Sequence, residues 1–169
     1  MPATFDPRLL DAIERQSINN WEAIVWRATT GNSPILRPNV LGARWNPPDV
    51  EALYCSLDRD AAIAELEHLL GRQPVPVKAQ RKVSRIRVKL NRVADLSSEA
   101  AIQSLGYEIA DIGMDDHSLP NHLGAAVDWL RIPGALVPSL RFDAVNLVIY
   151  FQGIVPPHDI VDLKDTSIV

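Results

Sequence analysis

The sequence predicts a single α+β domain in which mixed or split β-sheets are flanked by helices. Its 169 residues are the length of one ordinary domain, and the 47% that are hydrophobic can form one self-sufficient core. Strand-like and helix-like segments are interspersed without the strict alternation of a doubly wound parallel sheet. Neither a GxGxxG nor a GxxxxGKS/T phosphate-binding motif is present. We therefore expect one domain spanning residues 1–169.

The N-terminal part of the chain predicts a helix followed by a strand. Residues 8–16 place apolar side chains at helical spacing, and the preceding Asp6 and Pro7 are typical of a helix start. Residues 22–28 are rich in residue types that favour strands. We expect residues 1–21 to be a helical N-terminal extension of the domain.

A long loop separates this strand from the next two elements. Residues 29–50 contain several glycines and prolines, and a structureless loop of this length in a compact domain is typical of a binding site. Residues 51–57 predict a strand. A helix is predicted over 59–70, with Asp58 as its N-cap and Gly71 at its end.

The second half of the chain predicts a further alternating strand and several shorter elements. Apolar and basic side chains alternate over residues 82–90, with Arg85, Arg87 and Lys89 on one face. This pattern predicts a strand that is antiparallel or lies at a sheet edge. The remaining predicted elements are helices over 98–105 and 118–131 and strands over 134–138, 145–151 and 158–163.

Composition argues against several classes of protein. The single cysteine, Cys55, rules out an intrachain disulfide framework and a cysteine-cluster metal site, and its apolar neighbours predict a core residue. The four histidines lack the spacing of metal ligands, so we expect no metal. No apolar run approaches the ~18 residues of a membrane span, and the N-terminus lacks a signal-peptide pattern. We expect a cytoplasmic protein without membrane contact.

Positive charge is concentrated in residues 78–92. This segment holds seven of the 17 Lys and Arg residues and no acidic residue, although the whole chain carries a net charge of −4. Such a patch can bind nucleic-acid phosphates, but it lacks the interleaved aromatic residues that stack on bases. A solvated strand face is the simpler interpretation, and a docking site for an acidic partner or an anionic dinucleotide is another. A non-enzymatic binding module that uses this segment is one hypothesis for the function.

Several short motifs follow one another along the chain. They are Trp26-Arg27, Gly42-Ala43-Arg44-Trp45-Asn46, Leu53-Tyr54-Cys55-Ser56, Ala64-Glu65, Val137-Pro138-Ser139 and Asn146. In this order, over about residues 22–152, the sequence resembles the RES domain family. The members of that family are toxins of bacterial Xre-RES toxin–antitoxin pairs, with a fold similar to ADP-ribosyltransferase toxins and activity against NAD.

The resemblance implies an enzyme that cleaves the nicotinamide–ribose bond of NAD, as a glycohydrolase with water or a phosphorylase with phosphate as acceptor. NAD is then the substrate, and no cofactor is expected. A cognate Xre-type antitoxin is the implied protein partner, and nucleic acid is contacted only indirectly through that antitoxin. An ADP-ribosyltransferase that modifies a cellular protein is the alternative with the same fold.

The resemblance implies that Glu65, Arg27 and Tyr54 are catalytic. Cleavage passes through an oxocarbenium-like ribose, which a nearby carboxylate such as Glu65 stabilises. Without the resemblance, Glu65 would be interpreted as an exposed helix residue paired with Arg72 or His68. The ring of Tyr54 can stack on nicotinamide while its hydroxyl meets a ribose or phosphate, or Tyr54 can be a core residue.

Further residues are implied to bind NAD. Arg27 would hold the pyrophosphate through two hydrogen bonds, although an arginine at a strand end can also simply reach solvent, and Arg44 offers a second clamp. Ser139 would donate a hydrogen bond to the ribose or a phosphate. Asn46 and Ser56 are expected to be supporting polar residues.

Overall fold

A computed structural model describes residues 4–151 and 159–169, and this part of the chain contains five helices and six strands. The helices are α1 (Pro7–Arg15), α2 (Arg59–Gly71), α3 (Glu99–Ser104), α4 (Ile109–Ile112) and α5 (Ser118–Trp129). The strands are β1 (Ser17–Thr30), β2 (Ala52–Ser56), β3 (Arg81–Asp95), β4 (Gly134–Pro138), β5 (Val145–Tyr150) and β6 (Ile160–Ile168).

All six strands belong to one mixed sheet that closes on itself. β1 and β3 form an antiparallel pair along nearly their full lengths. The end of β3 runs parallel to β4, and β5 lies antiparallel between β4 and β2. β2 returns to β1 where Trp26 lies opposite Ser56, which completes the ring. β6 pairs with β3 as an additional antiparallel strand.

Two hydrophobic cores follow from the alternation of side chains along these strands. One core consists only of strand residues, among them Val25, Leu53, Ile86, Leu147 and Ile149. The other packs the opposite strand faces against α1, α3, α4 and α5, through residues such as Ile13, Ile102, Ile112, Leu123 and Val148. A strand that slipped by one residue would turn its core side chains to the opposite face, because side chains alternate along a strand. Each buried leucine or isoleucine side chain that is exposed in this way would cost roughly 1.5–3 kcal/mol of stability.

The predicted α+β class, the mixed sheet and the flanking helices are confirmed, and each predicted element has a counterpart. α4 is an addition, because four residues are too few to produce a periodic pattern. β6 extends to Ile168, beyond the predicted strand over 158–163, and residue 158 lies outside the described residues.

Two expectations about the strands need correction. β1 begins at Ser17, so residues 17–21 are strand and not part of a helical extension. Asn19 disfavours a strand on sequence alone, but its pairing with Arg92 of β3 overrides this preference, and Asn20 has a positive φ of 54°, which asparagine tolerates. β3 has the predicted antiparallel neighbours but is not at an edge, because β1 lies on one side and β4 and β6 on the other.

Candidate active site

A cavity of about 540 Å³ is lined by residues of β1, β2, β5, α2 and the loop that precedes β2. This volume lies within the usual range for small-molecule sites. Five of the seven predicted site residues line it, namely Arg27, Arg44, Tyr54, Ser56 and Glu65. The other two do not line the cavity, but each forms a hydrogen bond with a residue that does: Asn46 with Tyr54 and Ser139 with Glu65. The fold thus brings all seven predicted residues together.

The start of α2 is held in place by two polar residues at the end of β2. The Ser56 hydroxyl is buried and accepts a hydrogen bond from the Asp58 backbone N–H at 3.2 Å. The Asp58 carboxylate then caps the helix by accepting from the Ala61 N–H at 2.8 Å, as predicted. Ser56 therefore supports the start of the helix that carries Glu65.

Glu65 is anchored through one of its two carboxylate oxygens. Ser139 Oγ donates to Glu65 Oε1 at 2.9 Å, and Asn146 Nδ2 donates to the same oxygen at 3.2 Å. No residue in the described part of the chain donates to Oε2. Glu65 is not the exposed, ion-paired helix residue of the simpler interpretation. Since the Ser139 hydroxyl proton is used on Glu65, Ser139 orients this carboxylate and does not present a free donor to a ribose or phosphate.

Arg27 is a partly buried cation without a carboxylate partner among residues 4–151 and 159–169. Its Nη1 donates to the Tyr54 carbonyl at 2.7 Å and its Nη2 to the Arg37 carbonyl at 3.2 Å, while its buried Nε has no partner there. Burial lowers the pKa of Arg27, but a guanidinium stays protonated in proteins. It does not simply reach solvent, and an enclosed guanidinium that is held by carbonyls and not by a carboxylate keeps its positive charge at the cavity wall, which favours an anionic ligand.

The Tyr54 hydroxyl is used within the protein. It donates to Asn46 Oδ1 at 2.6 Å and accepts from the Trp45 backbone N–H at 3.0 Å. Burial raises the pKa of Tyr54, so this donor remains protonated. The structure therefore departs from the expectation that the hydroxyl meets a ribose or phosphate, because both of its hydrogen-bonding roles are taken. Tyr54 still lines the cavity.

Asn46 is fully buried and links the loop to Tyr54. Its Nδ2 donates to the Val50 carbonyl at 2.7 Å, while its Oδ1 accepts from Tyr54. Ala43 and Asn46 also exchange backbone hydrogen bonds across a tight turn. The contacts of Asn46 therefore shape the loop over residues 43–46.

Arg44 projects from that turn into the cavity. Its Nη1 donates to the carbonyls of Ile112 and Met114, at 2.8 and 2.9 Å. Burial and the neighbouring Arg141 lower the pKa of Arg44. Gly42 has a positive φ of 90°, and a Cβ there would lie 3.0 Å from the Pro48 backbone nitrogen. This glycine is thus required by the loop itself and not only by the approach of a ligand.

Helix α5 holds the same turn, a contribution that the sequence motifs do not reveal. Asn121 Nδ2 donates to the carbonyls of Ala43 and Arg44, at 2.6 and 2.7 Å. A Cβ at Gly124 would lie 1.8 Å from the Trp45 carbonyl oxygen, and Tyr150 Oη donates to that oxygen at 2.9 Å. No local pattern could reveal this clamp, because its members meet only in the folded chain.

The cavity wall also contains four basic side chains that are not among the predicted site residues: His68, Arg72, His117 and Arg141. His68 follows Glu65 by three residues on α2, and Arg72, the C-cap of this helix, follows Glu65 by seven, so the three side chains share one face. This helical spacing is the sequence signal that could have indicated His68 and Arg72. Burial and two neighbouring arginines lower the pKa of His117.

The wall of the cavity is therefore strongly cationic. Among the described residues, four arginines and two histidines line it, and Glu65 is the single acidic residue of the lining. The chain as a whole has a net charge of −4, so the cavity has the opposite sign to its carrier. A concave site lined by one sign of charge concentrates ligands of the other sign, which indicates an anionic ligand.

The basic segment 78–92 lies in and just before β3, away from this cavity. Three of its arginines form ion pairs on the surface: Arg81 with Glu67, Arg85 with Asp165 and Arg92 with Glu14. Arg85 also stacks over the Trp26 ring at 5.6 Å. Three of the seven positive charges that suggested a binding face are thus paired with carboxylates of the protein itself. This favours a solvated strand face over a binding module.

No group of three or more His, Cys, Asp or Glu side chains among the described residues is arranged to hold a metal ion. None of the helices in that part of the chain is long and apolar enough to cross a membrane. Cys55 is buried, as predicted.

Comparisons with known proteins agree with the motifs. The profile of the RES domain family matches residues 17–163. Proteins named NAD(+) phosphorylase MbcT, from Mycobacterium bovis and Mycobacterium tuberculosis, are 27% identical over 147 residues, which cover 82% of this chain and 79% of theirs. The crystal structure of the M. tuberculosis MbcT–MbcA toxin–antitoxin complex superposes with a TM-score of 0.83 and 25% identity, covering 97% of this chain and 93% of that chain. The chain belongs to the RES domain family.

Proposed function

We propose that this protein cleaves the nicotinamide–ribose bond of NAD and transfers the ADP-ribose unit to phosphate. The main support is that Glu65, whose Oε2 has no hydrogen-bond donor among the described residues, lies in the same cationic cavity as Arg27, a largely enclosed guanidinium to which no described carboxylate is paired. The name of the relative, NAD(+) phosphorylase, supports phosphate over water as the acceptor. The reaction needs no resident cofactor, because NAD itself is the substrate.

The cationic wall supports the binding half of this proposal. A dinucleotide carries its negative charge on the pyrophosphate, and arginine donates two parallel hydrogen bonds to phosphate oxygens. Arg27 and Arg44 are the residues that we assign to the pyrophosphate. Arg44 retains guanidinium N–H groups that no described residue accepts, so it can bind a ligand without breaking its bonds to Ile112 and Met114.

Glu65 supports the chemical half. As the glycosidic bond breaks, positive charge develops on the ribose, and the electron pair of the bond leaves with nicotinamide. A carboxylate held in place before the reaction stabilises that charge without reorganising. Ser139 and Asn146 hold Glu65 through Oε1, which leaves Oε2 to approach the ribose. Tyr54 contributes a rigid wall and holds the loop that carries Arg44.

The structural neighbour is a toxin–antitoxin complex, and this supports a similar assembly for the present chain. We propose that the protein is a toxin that depletes NAD in the cytoplasm. A cognate Xre-type antitoxin would cover the cavity and prevent NAD from entering. Contact with nucleic acid would then occur only through the antitoxin.

The experiment that tests the activity is incubation of the purified protein with NAD, with and without phosphate, followed by measurement of nicotinamide and the sugar product. We expect phosphate-dependent release of nicotinamide together with a phosphorylated ADP-ribose. Release that is independent of phosphate would indicate a glycohydrolase. Label from NAD attached to a protein in a lysate would indicate an ADP-ribosyltransferase, and no release under any condition would exclude all three activities.

A further inference from the structure

We propose that Arg141 binds the phosphate acceptor and that His68 positions it, an inference that rests on the proposed phosphorylase activity. Both residues line the cavity, and Arg141 Nη2 lies 2.8 Å from His68 Nε2. Arginine carries only donors, so His68 Nε2 must be the acceptor in this bond. The imidazole therefore orients one edge of the guanidinium and leaves its other N–H groups for a ligand.

Ser139 connects this pair to the reacting carboxylate. Its Oγ donates to Glu65 Oε1 at 2.9 Å and accepts from the Arg141 backbone N–H at 3.4 Å. His68 lies one helical turn after Glu65 on α2. A phosphate held by Arg141 would thus lie beside the carboxylate that stabilises the ribose, where the acceptor of the reaction is needed.

Arg141 and Arg27 differ in burial, and this difference distinguishes a site for the phosphate acceptor from the site for the pyrophosphate. Arg27 is largely enclosed, whereas Arg141 is exposed at the rim. No carboxylate in the described part of the chain pairs with Arg141. A small dianion can reach an exposed, unpaired guanidinium after NAD has filled the deeper part of the cavity.

The proposed reaction needs no reactant other than NAD and phosphate. A phosphate oxygen forms a bond to the anomeric carbon of the ribose as the carbon–nitrogen bond to nicotinamide breaks. The electron pair of the broken bond neutralises the positive charge of the nicotinamide ring. The phosphate proton stays on the new ester or passes to water, and nothing is oxidised or reduced.

The test of Arg141 is steady-state kinetics with NAD and inorganic phosphate varied separately. Arg141→Gln removes the charge but keeps a polar side chain. Because Arg141 is exposed, the substitution should leave the fold intact, and thermal unfolding checks this. We expect the KM for phosphate to rise about 10- to 100-fold, the usual effect of losing charge-assisted hydrogen bonds, with a much smaller change in the KM for NAD. Arg59→Gln, an exposed arginine at the start of α2, is the matched control and should leave both KM values unchanged.

The test of His68 uses its role as an acceptor. His68→Ala should raise the KM for phosphate because Arg141 loses its orientation. His68→Gln should restore most of the affinity, since its amide oxygen can accept from Arg141. A purely structural role for His68 would change kcat or stability in both variants without this selective rescue.

The outcomes separate the inference from the function on which it rests. If the wild type releases nicotinamide only with phosphate and Arg141→Gln keeps its KM for phosphate, the acceptor site is wrong but the phosphorylase stands. An equal rise in both KM values would assign Arg141 to NAD and overturn the inference. If the wild type releases no nicotinamide, or releases it independently of phosphate, both proposals fail.

Discussion

Arg27 shows at the scale of one residue how the site differs from a region built for stability. Burying a guanidinium costs free energy, and here two backbone carbonyls compensate it in place of a carboxylate. Its Nε has no partner among the described residues. A neutral side chain would avoid this cost, so the arginine is best explained by an anion that binds next to it.

Removal of this charge is expected to weaken NAD binding. Arg27→Gln should raise the KM for NAD about 10- to 100-fold, because one or more charge-assisted hydrogen bonds to the pyrophosphate are lost. The measurement is the initial rate of nicotinamide release against NAD concentration. Arg87→Gln, on the exposed face of β3, is the control. An unchanged KM for NAD in a folded Arg27→Gln variant would remove Arg27 from the binding site.

Cys55 gives a prediction about pH. Burial raises the pKa of the Cys55 thiol from 9.0 to about 12. Between these values the unfolded chain loses the proton while the folded chain keeps it, so the folded state loses stability as pH rises, by at most about 1.4 kcal/mol per pH unit. Denaturant unfolding at pH 8 to 11 should show a steeper decline for the wild type than for Cys55→Ala. Parallel declines would contradict the assigned burial.

At the scale of elements, α5 holds the turn that carries Arg44. Asn121 binds two carbonyls of the turn, and Gly124 lets the Trp45 carbonyl approach the helix backbone. The sequence predicted α5 as a helix but gave no sign of this contact. Glycine inside a helix is locally unfavourable, and its reason lies in a neighbour that is about 80 residues away in the sequence.

Two glycine substitutions test this clamp. Gly124→Ala would place a Cβ 1.8 Å from the Trp45 carbonyl oxygen, so the turn must move and the free energy of unfolding should fall by about 1–3 kcal/mol or more. Gly71→Ala, at the end of α2, meets nothing within 4 Å and should be neutral or slightly stabilising. Urea unfolding measures both. Equal effects of the two substitutions would rule out the clamp.

At the scale of the whole molecule, the site assembles residues that are far apart in sequence. Local signals predicted α2, with its Asp58 cap, and the alternating faces of β3, because capping and periodicity act over a few residues. The family motifs pointed to Glu65 and Arg27. They could not reveal that Ser139 orients Glu65 or that Arg141 meets His68, because these contacts depend on how β4, β5 and α2 pack together.

If the Glu65 carboxylate acts on NAD in this cavity, the substitution Glu65→Gln must slow the cleavage of NAD. The substitution keeps the size of the side chain, and Glu67→Gln is the matched control, since Glu67 is exposed on the same helix and pairs with Arg81. We expect nicotinamide release to fall by about 10²-fold or more in Glu65→Gln and to remain near the wild-type rate in Glu67→Gln. Wild-type turnover in a folded Glu65→Gln protein would show that the Glu65 carboxylate does not act on NAD.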